Sequence, residues 1–143
     1  LIPTGKLDSV AGTPFDFRTA AAIGSRIGAD HVQLKYGKGY DHNFVINRAK
    51  GDHSLQQAAT VEGDQSGIVM KVLTEEPGIQ FYGGNFMQGV SPLKGGRKDD
   101  YRGAFCLETQ HYPDSPNQPS FPSTELKPGQ TYQSTTVYQF GVK

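Results

Sequence analysis

The chain has 143 residues, 35% of them hydrophobic, which suits one domain with a sizeable core and is too apolar for a disordered chain. Fourteen Lys and Arg balance fourteen Asp and Glu, so the formal net charge is zero and a nucleic-acid partner, which asks for a basic excess, is not expected. No run reaches the ~18 apolar residues that cross a membrane, and a single cysteine, Cys106, excludes an internal disulfide.

The opening LIPTGKLDSV has no initiator methionine and starts on an apolar pair, as expected of a processed or truncated chain. No signal peptide is recognisable, and a cytoplasmic location is favoured. RTAAAIGSRIG is the one segment that reads as helix, kept short by Gly24. GYDHNFV carries three polar residues between an aromatic and an apolar run, as a strand or a turn. SLQQAATVE reads as a strand, GDQSG as a hairpin turn, and SGIVMKVLTEEPGIQFYGGNF as two strands around an EPG turn. SPLKGGRKDDYRG, charged and glycine-rich, reads as a surface loop and as the place where disorder would be expected. YRGAFCLETQ reads as an apolar, buried strand, followed by a loop rich in proline, and TYQSTTVYQFGVK as a last strand that alternates almost strictly. Short strands punctuated by Gly and Pro turns predict an all-β antiparallel β-sandwich rather than a βαβ fold. A partial sandwich would leave an apolar sheet face open, a cause of association.

Three blocks carry residues suited to chemistry. On a strand, Glu108 shares one face with Cys106 and Gln110, opposite Phe105, Leu107 and Thr109. A carboxylate there fits a concave polar site, where desolvation would raise its pKa toward the range of a general base. It fits equally an ion-paired or wet strand end. In GYDHNFV, Asp41 and Asn43 would point the same way. An aspartate can accept hydrogen bonds from a pair of sugar hydroxyls while a nearby aromatic covers a C–H face; the alternative is a turn capping its own backbone. Asp41 and His42 are adjacent and face opposite ways, so no metal is expected. In EPGIQFYGGNF, Gln80 and Tyr82 share a face, and Gly83–Gly84 admits backbone or ligand; the alternative is a plain turn into a core strand. His31 and His53 read as solvated, and Cys106 and His111 fall on opposite faces, against a thiol nucleophile.

TPFDFR, GYDHNFV, EPGIQFYGGNF and CLETQHYPDSPNQPSFPSTELKPG, in this order and spacing, resemble the C-terminal part of the aldose 1-epimerase (galactose mutarotase) family, with the similarity running from Leu1 to Lys143. The resemblance implies the family's large antiparallel β-sandwich, of roughly twice this length, residues 1–143 being the C-terminal portion of that single domain. It implies interconversion of the α and β anomers of free aldohexoses such as galactose and glucose, with no cofactor. By the same resemblance Glu108 corresponds to the catalytic base, Asp41 to the sugar-binding aspartate and Gln80 to a glutamine that also contacts the sugar. The family's two active-site histidines, one of them the general acid, and its asparagine and arginine contacts belong to upstream motifs that this chain does not show. The missing N-terminal portion, as a second chain, is therefore an expected partner alongside a monosaccharide, and the chain alone is expected to be inactive or crippled.

Two other readings stand beside the enzyme. One is a mutarotase-like protein that binds carbohydrate without turning it over. The other is a relative acting on sugar phosphates, for which Arg97 and Lys98 are the available basic residues.

Overall fold

The computed structural model describes residues 1–49 and 51–143. It is mostly β, with two three-stranded antiparallel sheets. Six strands follow in chain order: β1 (Asp41–Val45), β2 (Gln56–Glu62), β3 (Ile68–Thr74), β4 (Gly78–Tyr82), β5 (Cys106–Gln110) and β6 (Thr136–Val142). One sheet has the order β1-β4-β5, the other β2-β3-β6. The chain divides into two compact units, Leu1–His42 with Gln80–Cys106, and Asn43–Ile79 with Leu107–Lys143.

In the first unit an aromatic cluster does the work of a core. Tyr40 is fully buried and stacks on Phe81 with centroids 5.1 Å apart, while Phe17 meets Tyr40 edge-on at 5.2 Å. The Tyr40 hydroxyl donates to the Pro14 carbonyl at 2.9 Å, which satisfies the one polar atom that burial would otherwise strand. The expected helix over RTAAAIGSRIG is not there; the segment holds only a 3-10 turn at Ile23–Ser25. Ala20, Ala21 and Ala22 are exposed, so the run has no apolar stripe to bury and nothing to offset helix nucleation. The helix that does form, α1 (Val32–Gly37), went unread because six residues with one buried side chain, Leu34, carry too little periodicity. His31 caps it, its Nδ1 accepting from the Gln33 N–H at 3.2 Å. Lys38 ends it in the left-handed conformation, and Gly39 follows at φ 136, where an added Cβ would run into Oδ1 of Asn85.

In the second unit β2 and β3 pair antiparallel, with Val61 opposite Met70, around the expected turn at Gly63–Gly67, closed by the Gly67 N–H on the Gly63 carbonyl at 2.9 Å. β3 pairs in turn with β6, Leu73 opposite Val137. Val72, Ile46 and Ile79 form the buried cluster, with Phe44, Ala58, Ala59, Met70 and Leu107 packed against it. Arg48 ties the loops at its edge: its guanidinium donates to the carbonyls of Asp52, Ser54, Thr74 and Glu75 at 3.0–3.4 Å. The EPG turn lies where the sequence puts it, and Gly78 has no room for a side chain, since a Cβ would stand 2.7 Å from Oδ1 of Asn43.

Two expectations about strands change. β5 is not buried; Cys106 and Glu108 are exposed and Leu107, Thr109 and Gln110 half-buried. β6 starts only at Thr136 and is exposed along nearly its whole length. Its outer edge pairs with no strand among the described residues. Tyr138, Phe140 and Val142 are 47%, 67% and 82% exposed, the open apolar face that a partial sandwich implies.

Candidate functional site

Asp41 opens β1 and Gln80 sits at the middle of β4, both half-buried. Strand geometry aims them at each other across the first unit: the Gln80 Nε2 amide donates to Asp41 Oδ1 at 2.9 Å. A carboxylate accepts only, so the amide nitrogen must face it and the Gln80 carbonyl oxygen must face away. That oxygen, Oε1, is buried and has no hydrogen-bond partner within the chain. An unmatched buried acceptor costs about 1–3 kcal/mol, and a hydroxyl donor would satisfy it.

The neighbours of this pair are structural. The buried Tyr40 has no face free to cover a sugar. His42 Nδ1 accepts from the Asp41 N–H at 3.0 Å and its ring lies edge-on to Phe15 at 4.7 Å. Burial is the main influence on it and pushes its pKa below the ordinary histidine value. Tyr82 stacks on Phe86, and Gly84, at φ 70, makes its close approach to the Ala104 carbonyl, so that glycine serves the backbone.

Glu108 belongs to the second unit, on β5, and its side chain is exposed rather than desolvated. The structure thus brings Asp41 and Gln80 together, and places Glu108 by the residues that flank it. Leu107 packs on the core and its carbonyl accepts from the Tyr138 hydroxyl at 3.0 Å. Thr109 Oγ1 meets Thr136 Oγ1 at 2.6 Å. Side chains alternate along a strand, so with Leu107 and Thr109 held inward Glu108 stands on the opposite face.

A polar cluster that the sequence does not announce lies just past the end of β5. Glu76, 5% exposed in the EPG turn, accepts a short hydrogen bond from the Tyr132 hydroxyl on Oε1. His111 Nδ1 stands 2.8 Å from its Oε2, at ion-pair distance. Burial is the largest single influence on the Glu76 carboxyl and would raise it. Hydrogen bonds from Ser134 and Tyr132 and the charge of His111 together outweigh it and hold the carboxyl below the ordinary value. Residues 76, 111 and 132 are far apart in sequence, and no local pattern links them. Among the described residues no three His, Cys, Asp or Glu side chains converge as a metal site would require.

Comparison with known proteins supplies what geometry does not. The family model described as aldose 1-epimerase matches residues 1–139. The chain is 44% identical over 142 residues to a galactose mutarotase of Bos taurus, covering 99% of this chain and 39% of that protein. It is 45% identical over 142 residues to an aldose 1-epimerase of Escherichia coli K12, covering 97% of this chain and 40% of that one. The crystal structure of a GalM/aldose epimerase homologue from C. elegans superposes with a TM-score of 0.78 at 27% identity, over 99% of this chain and 40% of that chain. The chain therefore spans about 40% of the length of the relatives it matches.

Proposed function

The chain belongs to the aldose 1-epimerase family, and from that premise we propose that it takes part in the interconversion of aldohexose anomers, with Glu108 as the general base and Asp41 and Gln80 as the residues that hold the sugar. The family match over nearly the whole chain carries this reading. The unpartnered Gln80 Oε1 beside the Asp41 carboxylate supports it, because together they offer two acceptors to sugar hydroxyls.

Glu108 takes the proton of the C1 hydroxyl. The C1–O5 bond breaks, a carbonyl forms at C1, and the electron pair left on O5 takes a proton from an acid. Rotation about C1–C2 turns the other carbonyl face to O5, and the same transfers run backwards. The resemblance assigns the acid to a histidine in motifs this chain does not show, so the 143 residues alone bind sugar and turn it over poorly. Each proton-transfer partner is worth about 10²–10⁴-fold in rate.

Polarimetry of fresh α-galactose tests the reading. The full-length protein bearing this chain is expected to speed the change in rotation, and Glu108→Gln to remove most of that acceleration. Wild-type rates in that variant would refute the base assignment. The 40% coverage favours one second reading, sugar binding without turnover. Calorimetric binding of galactose by a full-length protein with no polarimetric activity would establish it.

A further inference from the structure

The strand that carries Glu108 is paired with β4 in its sheet and is held further by side-chain ties. Within five residues three ties hold it: the Leu107 carbonyl to the Tyr138 hydroxyl at 3.0 Å, Thr109 Oγ1 to Thr136 Oγ1 at 2.6 Å, and His111 to the Glu76 carboxylate at 2.8 Å. The first two attach β5 to β6. The third alone attaches it to the turn before β4, and it comes just where regular strand pairing stops, since β5 ends at Gln110. The carboxylate is itself gripped. Tyr132 bonds Oε1, and the Glu76 N–H donates to Thr74 Oγ1 at 3.0 Å, while next to it Glu75 Oε2 accepts from the Thr135 N–H at 2.7 Å.

A buried carboxylate is a costly way to hold a tyrosine. A glutamine would accept the same bond with no charge to desolvate. The one side chain at ion-pair distance from that carboxylate is His111, at 2.8 Å. We propose that Glu76 and His111 form a positioning pair that pins the C-terminal end of β5, and so holds Glu108 in the orientation from which it removes the sugar proton. The proposal rests on Glu108 being the base. Neither residue of the pair touches sugar; both act through the backbone of β5. Displacement of a reacting group by about 1 Å can cost on the order of 10²-fold in rate, so the pair governs turnover rather than affinity.

The test is a set of three variants in the full-length protein, measured by polarimetry with galactose and normalised to sugar-binding sites. His111→Phe fills the space but cannot meet the carboxylate. His111→Asn sets an amide N–H close to where Nδ1 stands. Glu108→Gln reports on the base itself. The expected result is a kcat lowered on the order of 10²-fold by His111→Phe with KM unchanged, recovered for the most part by His111→Asn, and a kcat lost in Glu108→Gln. If Glu108→Gln is inactive while His111→Phe turns over at the wild-type rate, or while His111→Asn is as poor as His111→Phe, the positioning role is overturned and the base assignment stands. If Glu108→Gln keeps wild-type turnover, both fall together.

Discussion

Glutamine at position 108 would keep the shape of the side chain and lose its ability to take a proton, so Glu108→Gln should lower kcat by about 10²–10⁴-fold with an unchanged far-ultraviolet dichroism spectrum. Asp41→Ala removes the acceptor that orients Gln80. A hydrogen bond to a charged group is worth roughly 1.5–3 kcal/mol, so KM should rise about tenfold or more while kcat changes little, as steady-state kinetics will show. The roles proposed for Glu108, Asp41 and Gln80 come from the resemblance of their motifs to the family, and strand alternation gives only the face each would take. Glu76 and His111 were not legible: one reads as the first residue of a turn, the other as a polar residue facing away from Glu108. Their meeting depends on the fold bringing residues 76 and 111 together, which no local pattern encodes.

At the scale of elements, the strands were readable and the helices were not. β3 and β4 are rich in β-branched and aromatic residues with clear turn residues at their ends, whereas the alanine-rich segment has helix propensity without a face to bury, and packing overrides propensity. The depth of β5 was misjudged because apolar residues show that a strand can be covered, not that it is. The EPG turn predicts how stability depends on pH. The Glu76 carboxyl in the fold lies below its ordinary value of 4.5, so its contribution is fully present above that value and is lost as pH falls through the lowered one. The urea midpoint should therefore drop in acid below about pH 4.5, and less steeply in Glu76→Gln. In the core of the second unit Ile79 is 5% exposed. Ile79→Ala should cost about 2–5 kcal/mol in urea unfolding.

For the molecule as a whole, the sequence carried the family and the β class, and it anticipated an uncovered apolar sheet face; it did not say which strand would present it. That strand is β6, whose outer edge, unpaired among the described residues, and exposed Tyr138, Phe140 and Val142 form a template for another strand. The 143-residue chain should associate as its concentration rises, and Phe140→Lys should suppress this in light scattering, because a charge on an edge strand opposes pairing. The Arg48 guanidinium is committed to four backbone carbonyls. Trypsin must seat an arginine side chain in its own specificity pocket before it can cut, and this one is already engaged. The Arg48–Ala49 bond should resist the protease in the folded protein and yield only when the second unit opens. The rate of that single cleavage then becomes a clock for local unfolding, read without any label or substitution.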